Sequence, residues 1–438
     1  MSVVDTQACA LFGAAPRFAQ GVFPSDLTTL SKAGEAAAIR TLQSGTWSMF
    51  TSPEVASFEE EFADYVGARH AVMVTSGTAA LTAALSACDL PRGSLVAVPC
   101  YTHIGTALPV EMLGHRLCFV DLEADSRTLS ASALEALARS EGVAAVISAH
   151  LFGMPGHFAE IGQACASLAV PLIYDCAQFL GDRSVTSEMA TRGTCCFSLG
   201  ESKQLRVGEG GVVTTNSDVV ADRARLFRHA GEVWLKLGMS RSSLADPTPW
   251  DVLYGLGSIR HGSNLRPLAV AAAIARTKLA ELPEQLRAVT RNAETMIRGL
   301  ADVGLLQLPS NVASWWTFPV VVNQGSIERN VLLAALLAEG VPVGVHFPRL
   351  LPLQPVFETG STISKSFPNG QHFADHHLVL PIYPNLNEDH VAMVASAVLE
   401  LTNNPQLRTP TASRLAEEFL RSHVVSDLMS GLYMRLAQ

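Results

Sequence analysis

Charged residues are scarce in this sequence of 438 residues. They make up 16% of the chain, and 40 acidic residues outnumber 31 lysines and arginines, so the formal net charge at pH 7 is −9. Proteins that bind nucleic acid or an anionic membrane usually present a basic surface, so this balance argues against both partners. Hydrophobic residues make up 48%, enough for a sizeable core, and we expect a small-molecule partner.

Cysteine patterns of metal sites and disulfide frameworks are also missing. The eight cysteines are scattered, with no Cys-x-x-Cys pair and no companion histidine spacing, so we expect no metal and no disulfide scaffold. No apolar run reaches membrane-spanning length, and the start of the chain carries Asp5 but no basic residue before Arg17. It therefore lacks the positive charge of a secretory signal, and we expect a cytoplasmic, reduced protein.

Short apolar runs alternate with helical patterns in the first part of the chain. The runs have the length of strands and lie at 71–74, 95–98, 117–120, 144–147 and 171–174. This β-α alternation predicts an α/β fold with a large, mostly parallel sheet. Open sheets of this kind bind ligands at the carboxyl ends of their strands, so we expect the polar residues after these runs to line a site.

A second region with a different pattern begins near residue 286. Here the sequence predicts strands over 316–322, 341–347 and 378–381, helices over 327–337 and 389–401, and an irregular segment over 348–371. An amphipathic helical pattern follows a Thr/Pro linker near the end of the chain. We therefore predict four segments: an N-terminal arm with the first helix (1–50), a large α/β domain (51–285), a smaller C-terminal α+β domain (286–404) and a helical tail (405–438).

Lys203 lies in a stretch that supplies the groups required by one cofactor. Asp175 follows the run 171–174, and Ser198 precedes Lys203 by five residues. Pyridoxal phosphate (PLP) requires a lysine amine for its aldehyde, an acidic partner for its ring nitrogen and donors for its phosphate. Taken singly, a lysine is usually solvated and an aspartate at a strand end is usually a cap or turn residue. Their order in the chain makes a PLP site the better interpretation.

A second phosphate element is predicted where the run 71–74 ends. Ser76-Gly77-Thr78 opens a helix, whose first N–H groups and dipole suit an anion, and Gly77 allows close approach of the backbone. Alone, this turn is an ordinary helix cap. Combined with Asp175, Ser198 and Lys203, it favours a phosphate site.

These motifs, in this order, resemble the DegT/StrS-like sugar aminotransferases, a family of fold-type-I PLP-dependent enzymes, over about residues 45–401. In chain order they are the Phe58-Glu59 pair, Ser76-Gly77-Thr78-Ala79-Ala80-Leu81, Asp175-Cys176-Ala177-Gln178, the block from Phe197 to Gly211, and Asn264-Leu265-Arg266. The resemblance implies a fold-type-I transferase with a large parallel-sheet domain and a smaller C-terminal domain.

The resemblance also implies roles for single residues. Lys203 would bond to the aldehyde of PLP and then carry the proton between the donor amino acid and the cofactor, while Asp175 would pair with the pyridine nitrogen. The other implied cofactor contacts are Gly77, Thr78 and Ser198 at the phosphate, and Gln178 against the ring. Asn264 would reach the cofactor of a neighbouring subunit, which implies a homodimer with shared active sites.

His103 departs from the family pattern, which usually has an aromatic residue after Pro-x-x-Thr. Its flat imidazole can stack on the PLP ring, which is the favoured interpretation. Tyr101 is the competitor for this position, and a structural role for His103 stays open. His150 matches a family strand end beside the site, and we expect it to line the site without a catalytic role.

Tryptophans mark two further places. The interval 229–264 is long and contains Trp234 and Trp250, which predicts a loop that faces the substrate or a partner subunit. Trp315 and Trp316 are candidates for a sugar platform, but packing of a strand in the core is the preferred interpretation.

The resemblance implies a PLP-dependent aminotransferase (transaminase) in amino-sugar or antibiotic and other secondary-metabolite biosynthesis. It would move an amino group from glutamate or glutamine to a ketone carbon of a sugar, nucleotide-linked or not, or of a cyclitol. One alternative is a PLP-dependent deoxysugar dehydratase, but in that subgroup a histidine replaces the lysine that Lys203 matches. Another is a PLP-fold regulatory protein, which the acidic balance and the short tail after Pro405 disfavour. A third, another fold-type-I activity on amino acids, is disfavoured by the Asn264 motif.

Overall fold

A computed structural model describes residues 9–24, 30–232, 258–323, 325, 327–357 and 366–422. The chain divides into two compact units. Unit 1 contains Met1–Thr29, Glu284–Leu350 and Pro368–Gln438, and unit 2 contains Leu30–Pro283 and Leu351–Phe367. This grouping places the first 29 residues with unit 1, and the four segments predicted from the sequence stay a prediction. Within the described residues, no helix combines the length and apolar character needed to cross a membrane.

Unit 2 is built on a sheet of seven strands. They are β1 (His70–Val74), β2 (Leu95–Pro99), β3 (Arg116–Val120), β4 (Ala145–Ala149), β5 (Leu172–Asp175), β6 (Thr194–Ser198) and β7 (Gly211–Thr215). Their order is β1-β7-β6-β5-β4-β2-β3, with β7 antiparallel to both of its neighbours and all other pairs parallel. The mostly parallel α/β sheet predicted from the sequence is confirmed. β6 and β7 were not predicted.

Helices connect the strands and cover the sheet. They are α1 (Lys32–Gln43), α2 (Glu54–Val66), α3 (Gly77–Ala87), α4 (Ile104–Met112), α5 (Ala131–Glu141), α6 (Phe158–Leu168), α7 (Arg183–Arg192) and α8 (Asp218–Arg228). Side-chain caps fix several of their starts: Ser76 accepts from the Ala79 N–H, and Asp182 accepts from the Ser184 and Val185 N–H groups. Because successive residues, which point to opposite faces, are fully buried on β4 (Val146 and Ile147) and on β5 (Ile173 and Tyr174), the central strands are covered on both faces. The carboxyl ends of these strands therefore form a rigid edge for a site.

Unit 1 contains a small antiparallel sheet in the order β10-β9-β8. Its strands are β8 (Leu306–Gln307), β9 (Phe318–Val322) and β10 (His377–Leu380). The long helix α9 (Ala269–Leu300) spans the chain boundary of the two units. The other helices of unit 1 are α10 (Arg329–Ala338), α11 (Pro368–His376), α12 (Glu388–Asn403) and α13 (Pro410–Arg421).

The strand predicted over 341–347 is wrong. Only one isolated bridge, between Gly344 and Val379, forms in this segment. Pro342 has no N–H to donate to a ladder, and Gly344 has no side chain to pack on a pleated surface. The apolar residues remain buried, because Val341 and Val343 belong to the core of unit 1. Burial of an apolar run is thus not sufficient for a strand.

The core of unit 1 includes two features expected from the sequence. Trp315 packs against this core and stacks on Phe318, with ring centroids 5.4 Å apart and an angle of 11° between the ring planes. This contact agrees with the packing role preferred for Trp315. On α13, Leu415, Phe419 and Leu420 pack against the same core, as the amphipathic pattern indicates.

Candidate active site

The start of α3 lies against the end of β6. A Cβ atom built on Gly77 would lie 2.8 Å from the Cβ of Ser198, and one built on Gly211 would lie 2.1 Å from the carbonyl oxygen of Ser76. Both positions therefore require glycine, because a side chain would push the helix start away from the strand. The structure thus brings together Gly77 and Ser198, two residues predicted to bind a phosphate. The Ser198 hydroxyl oxygen accepts a hydrogen bond from the Gly200 N–H at 3.3 Å.

The start of α4 approaches the same place. A Cβ atom on Gly105 would lie 2.7 Å from the Thr78 hydroxyl oxygen, so the first turns of α3 and α4 are in close contact. His103 caps α4, because its Nδ1 accepts the Gly105 N–H at 3.0 Å. A neutral His103 ring must then carry its proton on Nε2. His103 reaches the solvent, whereas the competing Tyr101 is buried.

Three groups at this edge of the sheet share one electrostatic environment. Partial loss of hydration lowers the pKa of His103, the charge of Lys203 lowers it further, and the Asp175 carboxylate opposes both effects. Lys203 itself is partly buried in the turn after β6. Loss of hydration lowers the pKa of its amine to about 8, against the opposing charge of Asp175. The neutral, nucleophilic form of the Lys203 amine is therefore reached more easily than in a solvated lysine.

Asp175 ends β5 and is buried. Its Oδ1 accepts the Ala177 N–H at 3.1 Å, and its Oδ2 accepts the Thr106 hydroxyl at 2.7 Å. Thr106 is 1% exposed, and its oxygen lies 3.0 Å from the buried hydroxyl of Thr102. Sequence reasoning missed Thr106. The only signal was the spacing of two threonines by four residues at a helix start, which is common enough to carry no functional weight alone.

Gln178 and His150 follow neighbouring strands, but they have different surroundings. Gln178 is buried, and its Oε1 accepts the Phe152 N–H at 3.0 Å. His150 is fully buried, donates from Nδ1 to the Pro155 carbonyl at 2.8 Å and has its ring 5.3 Å from that of Tyr174. Burial lowers the pKa of His150 to about 4, so it is neutral. Tyr174 and Asp175 point to opposite faces of β5, and His150 packs on the side of Tyr174. The expectation that His150 lines the site is therefore wrong, because its ring lies in the interior.

Asn264, unlike the other predicted site residues, lies outside this cluster of contacts. Its side chain is exposed, and its backbone forms an isolated antiparallel bridge with His229. Arg266, two residues later, donates from Nη1 to the Nδ1 of His229 at 2.8 Å, which holds the Asn-x-Arg motif in place. Trp234 and Trp250, expected on a loop that faces the substrate or a partner, lie outside the described residues.

The residues of this edge fit a PLP molecule. A glycine helix start that tolerates no Cβ atom lies next to two hydroxyl side chains, which suits a phosphate. A buried carboxylate lies within electrostatic range of a lysine whose amine is easily deprotonated. These are the donor and acceptor types that the cofactor requires. Among the described residues, no group of His, Cys, Asp and Glu side chains has the arrangement of a metal site.

Solved structures share this fold. An aminotransferase from Brucella abortus is 25% identical with a TM-score of 0.72, and the match covers 85% of this chain and 95% of that chain. DesV from S. venezuelae is 27% identical with a TM-score of 0.72, covering 84% and 94% of the two chains. The E. coli GDP-4-keto-6-deoxy-D-mannose-3-dehydratase is 19% identical with a TM-score of 0.75, covering 88% and 99%. At that identity the likeness to the dehydratase shows the fold alone.

A match to a protein-family model shows which family the chain belongs to. The DegT/DnrJ/EryC1/StrS aminotransferase family matches residues 29–399, which include every predicted site residue. The match extends through both units, from before α1 to within α12. The chain therefore belongs to the DegT/DnrJ/EryC1/StrS aminotransferase family and is a PLP-dependent enzyme.

Proposed function

We propose that this enzyme moves an amino group from glutamate or glutamine to a ketone carbon of a sugar or cyclitol, in amino-sugar or secondary-metabolite biosynthesis. The observation that carries the proposal is the Lys203 amine, whose pKa is lowered to about 8 within the field of the buried Asp175 carboxylate. An amine that is neutral part of the time can both add to an aldehyde and take up a proton.

The residues at the sheet edge have different proposed roles in the reaction. PLP, when bound, supplies an aldehyde that takes up amino groups and a ring that accepts electrons. The Lys203 amine would carry a proton between the donor Cα and the cofactor in the first half-reaction, and between the cofactor and the acceptor carbon in the second. The Asp175 carboxylate, held by Ala177 and Thr106, is proposed as the anionic partner of the ring nitrogen.

The remaining contacts hold the cofactor in place. We propose that the start of α3 at Gly77 and Thr78 and the Ser198 hydroxyl together form the phosphate site. The first turn of α3 and the Ser198 side chain lie in direct contact, so their donors can reach the same anion. His103 would stack on the ring as a neutral imidazole, which its lowered pKa favours. Gln178 would lie beside the ring, with its orientation fixed by the Phe152 N–H.

We also propose a cytoplasmic homodimer in which Asn264 serves the neighbouring active site. Its side chain is exposed, which suits a residue that acts on another subunit. Four large apolar side chains on α1, just after α1 and just before α9 are exposed as well: Ile39, Leu42, Trp47 and Leu268. Leu268 is four residues after Asn264, and Ser48 forms a bridge with it. The Ala269 N–H donates to the Trp47 carbonyl at 2.9 Å, so these residues form a continuous surface that a second copy could cover.

Lys203 also supports transamination over dehydration. The resemblance stated above places a histidine at this position in the deoxysugar dehydratases. The amine of Lys203 can bond to the PLP aldehyde and can carry a proton, whereas an imidazole can carry a proton but cannot form that bond. We therefore prefer the aminotransferase, although the dehydratase fold is the same.

The visible absorbance of the purified protein tests the proposal. We expect a yellow band with PLP bound, which bleaches on addition of L-glutamate or L-glutamine as the amino group is taken up. Whichever amino acid bleaches the band is the donor, and ketosugars or cyclitols that restore it are candidate acceptors. A band that responds to neither amino acid would contradict the aminotransferase, and no band after addition of PLP would contradict the role of Lys203.

A further inference from the structure

Thr106 places a buried hydroxyl group on the Asp175 carboxylate. The distance from Thr106 Oγ1 to Asp175 Oδ2 is 2.7 Å, and the two residues are 1% and 7% exposed. A carboxylate removed from water is costly unless donors satisfy its oxygens. The second oxygen, Oδ1, receives the Ala177 N–H at 3.1 Å. Thr106 thus supplies a charge-assisted hydrogen bond, from a side chain that can be altered without changing the backbone.

The direction of this hydrogen bond is fixed. An ionised carboxylate only accepts, so Thr106 must donate its hydroxyl proton to Asp175. The oxygen of Thr106 can then accept from Thr102, whose buried hydroxyl lies 3.0 Å away. The two hydroxyls form a directed chain from Thr102 through Thr106 to Asp175, and each bond in such a chain polarises the next.

The local fold keeps this chain rigid. Thr106 lies in the first turn of α4, and its N–H donates to the His103 carbonyl at 3.0 Å. His103 also caps the same helix through the Gly105 N–H. The capped helix start therefore fixes the backbone of Thr106, and its β-branched side chain has few χ1 rotamers to choose from, so the hydroxyl has little freedom to leave Asp175.

We propose that Thr106 is a positioning residue for the reaction. Its hydroxyl donates to Asp175 Oδ2 and holds the carboxylate in one orientation, and Thr102 supports it. Without the Thr106 hydroxyl, the carboxylate would lose a charge-assisted hydrogen bond and its fixed orientation, and would be held less well as the anionic partner of the PLP ring nitrogen. This inference rests on the role proposed for Asp175.

Two substitutions test the hydroxyl itself. Thr106→Val keeps the shape of the side chain and removes the donor, whereas Thr106→Ser keeps the donor. Thr186→Val is the matched control, because Thr186 is also buried in unit 2 and its hydroxyl donates to the Val66 carbonyl at 2.8 Å, away from Asp175. For each holoenzyme, we would measure the rate of bleaching at saturating donor, the donor KM, and the dissociation constant of PLP. Circular dichroism melting would report the fold.

We expect Thr106→Val to slow bleaching and to weaken PLP binding, each by roughly tenfold, the effect of losing one hydrogen bond to a charged group. The donor KM should stay within about twofold, because the hydroxyl does not contact the donor. Thr106→Ser should recover most of both losses, and Thr186→Val should show neither. If Thr106→Val does not fold, Thr102→Val should show the same losses at a smaller size.

Four results would overturn the inference, and a fifth would contradict only the proposed reaction. Unchanged bleaching and PLP binding in Thr106→Val would mean that the hydroxyl has no role in the reaction. If Thr106→Val does not fold, unchanged bleaching and PLP binding in a folded Thr102→Val would mean the same. Equal losses in Thr106→Val and Thr106→Ser would assign the effect to packing. A wild-type protein that binds PLP but is not bleached would contradict the proposed reaction alone, and the PLP dissociation constants would still decide the role of Thr106. A wild-type protein that does not bind PLP would overturn both proposals.

Discussion

At the scale of single residues, the Lys203 amine carries the proposed chemistry. In Lys203→Ala, PLP should still bind through Asp175, Gly77, Thr78 and Ser198, but no amine remains to move the proton. We expect amino transfer to fall roughly a thousandfold, the usual contribution of a positioned acid and base. The measurement is turnover with the donor identified by bleaching, together with the PLP content of the purified variant.

Lys32→Ala is the control for Lys203→Ala, because Lys32 is an exposed lysine at the start of α1. It should leave turnover and PLP content unchanged. Full turnover by Lys203→Ala would contradict the mechanism. Loss of PLP together with loss of turnover would instead mean that the bond to the amine is required for binding.

The residues proposed to hold the cofactor could be selected from the sequence because their types are chemically constrained. A lysine, an aspartate and a glycine helix start in a fixed order leave few other interpretations for Lys203, Asp175 and Gly77. Thr106 could not be predicted, because its function comes from a contact with Asp175 across 69 positions in sequence. The burial of His150 could not be predicted either. A histidine that follows an apolar run gives the same sequence pattern whichever face of the sheet its side chain lies on.

At the scale of elements, the junction of α3 with β6 should be sensitive to one methyl group. In Gly77→Ala the new Cβ would meet the Ser198 Cβ at 2.8 Å, so α3 or Ser198 must move. We expect PLP binding to weaken by about tenfold or more, because two parts of the phosphate site are displaced together. A titration of the apoprotein with PLP measures this change.

A second glycine in a helix provides the control for Gly77→Ala. Gly34 lies in α1, and the nearest side-chain atom to a Cβ built there is 3.4 Å away, an ordinary contact. Gly34→Ala should raise the free energy of unfolding by about 0.5–1 kcal/mol through helix propensity and leave PLP binding unchanged. Equal PLP affinities for the Gly77 and Gly34 variants would mean that the junction does not hold the phosphate.

His377 joins two elements of unit 1 and makes them sensitive to acid. Its Nδ1 donates to the Phe373 carbonyl at 2.8 Å, and its Nε2 accepts the His346 N–H at 3.1 Å. Burial lowers the pKa of His377 from 6.5 to about 3, and the charges of Arg329 and His346 act in the same direction. Between these two pH values the unfolded chain binds a proton that the folded chain does not. Stability is therefore lost as the pH falls below 6.5.

His377→Phe tests this coupling by urea unfolding at two pH values. At pH 8 the loss of two hydrogen bonds should lower the free energy of unfolding by about 2 kcal/mol. At pH 5 the wild type has lost about 2 kcal/mol to the unfavourable protonation of His377, so the difference between the proteins should nearly vanish. His372→Phe, at an exposed position on α11, is the control. A difference that is the same at both pH values would contradict the coupling.

The elements themselves were predicted best where a pattern has one physical cause. The five buried runs of unit 2 became parallel strands because each is flanked by a helix that covers it. The strand predicted over 341–347 does not form, because its proline and glycine prevent a ladder, although Val341 and Val343 are buried in the core. β7 was missed because its glycine-rich start was interpreted only as part of the lysine block, although Gly211 also begins a strand.

At the scale of the whole molecule, the proposed dimer depends on surfaces that the sequence does not reveal. Ile39 and Leu42 lie one turn apart on α1, and the Trp47 indole donates to the Leu42 carbonyl at 2.9 Å. Ser48 bridges to Leu268, which is four residues after Asn264. The fold gathers residues from distant parts of the chain into one exposed area beside the Asn-x-Arg motif.

Mixing two inactive variants distinguishes shared from independent active sites. In a heterodimer of Lys203→Ala and Asn264→Ala subunits, one site would combine an intact Lys203 with an intact Asn264 from the other subunit. The second site would lack both. Random pairing of the subunits makes half of all dimers heterodimers, and one of the two sites in each heterodimer works. Coexpression should therefore restore about one quarter of wild-type activity. Each variant expressed alone is the control. If Asn264 acts within its own subunit, every site keeps a defect and no activity returns.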